Sequence, residues 1–258
     1  MVRSPVVDNL QLETYLDTLL ESRQFKDYSP NGLQVEGRKQ IRRLITGVTA
    51  SQALLDEAVR LQADAILVHH GYFWGGESAQ IRGMKKRRLQ TLLQHDINLY
   101  AYHLPLDAHP VLGNNAQLAR LLDIQVVRPL ENDNPRSLSL VGELAAPVSA
   151  EQFAQRLTSA LGREPLLCIG QEGTSIRTVA WCSGGGQSYI TLAAEQGIDA
   201  FFSGEVSEQT VHVAREMGIH FYAAGHHATE RYGVKALGER LAAECGLEVL
   251  FIDIDNPV

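Results

Sequence analysis

Apolar residues along this chain fall into two alternating patterns. Short unbroken apolar runs bounded by polar turns read as buried strands, and stretches with apolar positions three or four apart read as amphipathic helices. Residues 43–48 (RLITGV) form a predicted strand and 51–61 a helix capped by Ser51. Residues 65–68 (AILV) make a short buried strand that runs into His69-His70. A helix over 85–94, a strand over 98–102 (NLYAY) leading to His103, and a helix over 115–122 complete the first stretch. After a polar, turn-rich segment at 131–137 (ENDNPRS), the alternation resumes. Strands are predicted over 138–144, 178–182, 200–202, 220–223 and 248–254, and helices over 149–161, 187–196, 208–217 and 229–245. Alternating strands and helices signify an α/β fold.

The second half echoes the first. Shifting residues 41–70 by 135 positions lays IRRLITGVTASQALLDEAVRLQADAILVHH over IRTVAWCSGGGQSYITLAAEQGIDAFFSGE without a gap. Asp64 and Asp199 are among the identical pairs, and the strand–loop–helix–strand order is shared. NLYAYHLPLD and HFYAAGHHATE also match in kind: each is an aromatic strand ending in a histidine with a carboxylate four residues on, His103/Asp107 and His226/Glu230. The expectation is two α/β units of similar topology, 1–130 and 131–258, with segment 220–258 packing against the first.

Composition narrows the function classes. A chain of 258 residues with 45% hydrophobic and 21% charged content is that of a globular protein. It has no apolar run near the roughly 20 residues that span a bilayer, and its first residues do not resemble a secretory signal, so the expected address is the cytoplasm. The three cysteines are scattered, which argues against a disulfide framework or a Cys-rich zinc site. A net charge of -7 disfavours nucleic acid as a partner. The one basic run, 82–88 (RGMKKRR), reads as either a phosphate dock or the solvated face of a helix.

Candidate chemistry lies at the strand ends. His69 and His70 sit where α/β proteins open their ligand crevices, and neighbours on a strand point to opposite faces, so each histidine is expected to take a different ion. His226 and Glu230 stand one helical turn apart, a metal-binding spacing, and Glu230 has two oxygens with which to bridge cations. Asp107 offers a further oxygen. Imidazole and carboxylate without thiolate suit Zn, Fe, Mn or Ni. His103 is read as a sixth ligand, a proton shuttle or a group orienting a ligand, and His227 as a substitute for His226. The remaining histidines are read as structural, His109 as the cap of a turn. Gly184, Gly185 and Gly186 join a strand to a helix, which is either an anion-binding loop for phosphate or a tight turn needing positive φ. Cys182 could be nucleophile, ligand or core. Tyr72-Phe73-Trp74 could stack on a ring or cover a subunit contact.

VHHGYFWGGE, YHLPLDAH with GNNAQLA, SGGGQS, SGEVSEQT, GHHATERYG and SPNGLQVEG together resemble the bacterial YbgI-like proteins. These belong to the Nif-three-like family of dinuclear-metal proteins known as GTP cyclohydrolase 1 type 2 homologues. The resemblance implies two intertwined α/β subdomains with the metals in the cleft between them, and a homohexameric ring. It implies two divalent ions per subunit held by His69, His70, Asp107, His226 and Glu230, choosing His226 over His227 and leaving His103 outside the ligand set. The activity it implies is attack of a metal-bound hydroxide on the imidazole ring of GTP, or hydrolysis of a related phosphorylated small molecule. The competing expectation is a non-enzymatic metal-binding or scaffold protein.

Overall fold

The computed structural model describes residues 6–258. The chain divides into two compact units. One holds the residues up to Leu106 together with Gly233–Asp255; the other holds Asp107–Tyr232 with Asn256–Val258.

The first unit is built on a five-stranded sheet in the order Glu248–Phe251, Arg43–Thr49, Ala65–His70, Asn98–Ala101, Gly32–Val35. The first four strands run parallel and the last is antiparallel. The central strands are mostly apolar, as parallel strands covered on both faces are, and Leu44, Ile45, Ile66, Leu67, Val68 and Leu99 are fully buried. Helix Gln52–Arg60 begins at Ser51, whose side chain accepts the Leu54 N–H. The second unit carries a six-stranded sheet in the order Gln125–Pro129, Leu140–Val148, Ile176–Cys182, Ala200–Ser203, His220–Ala223, Leu166–Cys168. Its three central strands are parallel and its flanking strands antiparallel. Trp181, Phe202 and Tyr222 fill one side of it with Phe153 and Leu157.

The internal echo survives at the level of hydrogen bonds. Leu44 pairs with Ala65 in the first unit and Val179 with Ala200 in the second, the same register after a shift of 135. Asp64 accepts the N–H groups of Arg42 and Arg43; Asp199 accepts those of Arg177 and Thr178. The shared aspartates are thus explained: each caps the start of the first parallel strand by satisfying two backbone donors that the sheet leaves over.

Several expectations are corrected. The polar segment 131–137 is not a boundary. It closes a hairpin, because Gln125–Pro129 pairs antiparallel with Leu140–Val148. A hairpin turn and a linker both need solvated, turn-rich sequence, so composition alone does not separate them. The first unit's leading stretch ends at Leu106 rather than at 130, and of the segment 220–258 expected to pack against it, Gly233–Asp255 belongs to it, with Glu248–Phe251 beside Arg43–Thr49. The strand expected to stop at Val68 continues through both histidines, and the expected helix 187–196 is a short 3-10 turn, Gln187–Tyr189, followed by Ile190–Glu195. Helix Asn9–Leu20, capped by the Asp8 side chain, and the edge strands Gly32–Val35, Gln125–Pro129 and Leu166–Cys168 lie outside the elements predicted from the pattern.

Candidate metal centre

In the first unit His69, His70 and His103 form one group, with a ring nitrogen of each within 4.8 Å of the others. Parallel strands end at this point: His70 is the last residue of Ala65–His70, and His103 follows Asn98–Ala101. The expectation that neighbouring histidines must face apart does not hold, since the His69 and His70 ring centroids are 4.6 Å apart. The reason is local. His70 closes its strand, and its Nδ1 contacts Thr49 Oγ1 on the adjacent strand at 3.1 Å, which holds the ring across the sheet end.

Each ring of the group is oriented through Nδ1. His69 Nδ1 contacts the Tyr102 carbonyl oxygen at 3.0 Å, which calls for a proton on Nδ1 and leaves Nε2 as the nitrogen able to coordinate an ion. His103 Nδ1 donates to Asp27 Oδ1 at 2.7 Å. Asp27 is itself saturated, accepting from the Tyr28 and Leu104 N–H groups and from Asn31 Nδ2. Burial works against its charge, but the His103 ring and these donors win, and its carboxyl lies below the ordinary range. Sequence reading missed Asp27; a carboxylate far along the chain from its histidine leaves no spacing signal.

In the second unit the donors are mostly oxygens. Helix His226–Cys245 starts at His226, so Glu230 lies one turn on, with His226 Nε2 and Glu230 Oε2 3.1 Å apart. His226 Nδ1 is 2.7 Å from Glu205 Oε1. Burial disfavours the charged ring, but the hydrogen bonds and charges of Glu230 and Glu205 prevail and hold His226 protonated up to about 9. The ring that meets these carboxylates is that of His226; His227 supplies its backbone N–H to the Val258 carbonyl oxygen. Asp107, in the short helix Leu104–Ala108, is buried and its Oδ1 accepts from Asn114 Nδ2 at 2.8 Å and Ser183 Oγ at 3.0 Å. Asn115 ties the same corner together, accepting the Ser183 N–H and donating to Leu138 O. These bonds explain the paired asparagines of the GNNAQLA segment.

The glycine loop serves this cluster sterically. Gly184 has φ +58, and a Cβ there would stand 2.0 Å from Glu230 Oε1 and 2.9 Å from His226 Nε2. Its N–H donates to Thr229 Oγ1 at 3.0 Å, so that amide is already engaged and is not offered to a phosphate. A Cβ on Gly186 would meet Cys182 at 2.5 Å. Cys182 is buried, and burial together with Asp107, Glu230 and Glu131 pushes its thiol well up, which makes it core rather than nucleophile or ligand. His109 caps a turn as expected, accepting the Val111 and Leu112 N–H groups. Buried His220 bonds to Thr174 Oγ1 and is structural. The basic run lies on helix Gly83–Gln94 with Arg82, Lys86 and Arg87 exposed.

The Duf34/NIF3 (NGG1p interacting factor 3) family model matches residues 8–257. The chain belongs to this family. A Yersinia pestis relative named GTP cyclohydrolase 1 type 2 homolog is 62% identical over 249 residues, which covers 96% of this chain and 99% of that one. A relative of the same name from Escherichia coli (strain K12) is 59% identical over 249 residues, again 96% and 99%. Among solved structures, one described as "Structural genomics, protein ybgI, unknown function" is 58% identical, with a TM-score of 0.94 over 98% of this chain and 100% of that one. TTHA1606 from Thermus thermophilus is 38% identical, with a TM-score of 0.87 over 98% and 100%. The family therefore has the mixed α/β fold seen here, and no helix among the described residues is long and apolar enough to cross a membrane.

Proposed function

We propose that the protein binds two divalent metal ions through His69, His70, Asp107, His226 and Glu230, and that it is a metal-dependent hydrolase. One observation carries the reading: four histidines, His69, His70, His103 and His226, each have Nδ1 engaged by an oxygen of the protein. Metal-binding imidazoles are oriented in this way, by a partner on the nitrogen away from the ion. The donor set fits Zn, Fe, Mn or Ni, being imidazole and carboxylate with no ionised thiol. Gly184 adds a cradle against Glu230 that only a glycine leaves open. Bound ions would bring the pKa of water down to about 7 and polarise the bond under attack.

The chain's own residues supply the rest. Asp27 fixes the His103 ring so that Nε2 can take or return a proton. Thr229 and Ser183 hold the Gly184 loop and Asp107 in place. The relatives' name, GTP cyclohydrolase 1 type 2 homolog, directs the choice of substrate to a nucleotide, with GTP ring opening as the first reaction to assay. The working form in this reading is a cytoplasmic homohexameric ring. The test joins elemental analysis of the purified chain to a turnover screen over nucleotides and phosphoesters. Two metals per chain with a consumed nucleotide are expected, both lost in Glu230→Ala. Full metal content without turnover of any compound would favour a non-enzymatic metal-binding protein. Activity in metal-free protein would rule the hydrolase out.

A further inference from the structure

Two aromatic side chains beside the histidine group have no part in the core. Tyr28 is 70% exposed, and its ring reaches His103 edge-on with centroids 6.4 Å apart. Trp74 is half-buried and meets both His103, at 5.0 Å, and His70, at 5.9 Å. Their neighbours in sequence are accounted for: Tyr72 is buried and donates to Ala50 O, and Phe73 lies under the Lys85 ammonium. The sequence Tyr72-Phe73-Trp74 thus divides into one core residue, one cation-covered ring and one ring facing the histidines.

The Trp74 ring and the Tyr28 backbone are both held in place. Trp74 Nε1 donates to Gly71 O at 3.1 Å. Phe73 just before it has φ 64, a left-handed conformation that a bulky residue adopts only where its surroundings impose it. Tyr28 is fixed through its backbone, its N–H to Asp27 Oδ1 and its carbonyl oxygen from the Gly75 N–H at 2.6 Å. That last bond ties the loop bearing Tyr28 to the loop bearing Trp74. A large exposed aromatic on a fixed backbone is unfavourable for solubility and favourable for binding, because little side-chain entropy is lost when a flat ligand lands on it.

Resting on the metal-centre reading above, we infer that Tyr28 and Trp74 are the specificity residues of that site, stacking the flat heterocycle of a nucleobase-bearing substrate beside His103. Base–aromatic stacking accepts any base, since every base has a π-face, so these residues select for an aromatic heterocycle rather than for one sequence of donors.

The chain has two tryptophans, and the other, Trp181, is fully buried in the second unit. Tryptophan fluorescence of the zinc-loaded full-length protein therefore reads Trp74 against a protected internal control. GMP and AMP should quench the accessible part of the emission saturably, and ribose 5-phosphate should not. Trp74→Phe should remove the signal change, and Tyr28→Leu should weaken nucleotide binding about tenfold at unchanged zinc content. Equal binding of ribose 5-phosphate, or unaltered nucleotide binding in the Tyr28→Leu, Trp74→Leu double variant measured by calorimetry, would overturn the inference. So would a Tyr28→Leu effect confined to oligomeric mass, which would make Tyr28 a subunit contact. Zinc content of the same samples reports separately on the metal-centre reading.

Discussion

The two units place different chemistry at equivalent positions. In the first, the parallel strand Ala65–His70 ends in His69-His70; in the second, the equivalent positions after the shift of 135 are Gly204-Glu205. The first unit offers imidazole nitrogens, each ring turned by an oxygen partner on Nδ1. The second offers carboxylates, and there Glu205 is the partner that turns His226. The duplicated scaffold has thus diverged in role. Strand ends present donors in one unit and orient a donor carried by a helix in the other. Charge follows the same division. With no ion bound, the carboxylates of the second unit hold a proton on His226, whereas in the first the Asp27 carboxylate is balanced by His103 and backbone donors.

The largest test of this contrast is Gly184→Val. The variant forces a side chain into the space of Glu230 Oε1 at a backbone conformation that β-branched residues avoid. It should lower stability by roughly 1–3 kcal/mol and abolish metal binding by the second unit's donors, read by urea midpoint and metal content. Normal metal content would mean that the oxygen-rich cluster is not a ligand set. Asp27→Asn probes the other unit. Losing the charged anchor of His103 should reduce turnover or metal affinity about 10-fold to 100-fold with the fold intact, and Asp27→Glu should restore part of it. An unchanged rate and affinity would reduce Asp27 to a loop staple.

The smallest effect concerns protons. The folded pKa of His226, about 9, lies above its reference of about 6.5. Its contribution to the stability of metal-free protein is therefore complete below about pH 6.5 and is lost as pH rises through about 9. That slope should disappear in His226→Gln. Metal uptake near neutral pH must then expel about one proton from this ring, which calorimetry in buffers of different ionisation enthalpy would detect. No proton release would place the metal on other donors and erase the distinction between the clusters.

Much of the candidate site was legible in the order of residues. His69, His70, Asp107, His226 and Glu230 stand out because strand ends and one helical turn are local features, visible in spacing. The partners that orient them were not legible. Asp27 lies 76 residues from His103, and Ser183 lies 76 from Asp107. The glycine loop was legible only as either a phosphate loop or a turn needing positive φ, and what Gly184 makes room for, the Glu230 carboxylate, comes from another element.

The sequence by itself determined the α/β alternation, the internal echo, the cap at Ser51, and the residue types that could bind metal. These depend on periodicity and on contacts a few residues apart, which the order of amino acids encodes directly. Tertiary structure alone decided that 131–137 is a hairpin turn, that the first unit's leading stretch ends at Leu106, and that His69 and His70 converge. It also separated Trp74 from Tyr72 and set Tyr28 beside His103. Those outcomes rest on which strands pair and which loops meet. Hydrogen-bond satisfaction and packing over the whole chain settle such pairings, and no local window of sequence contains them.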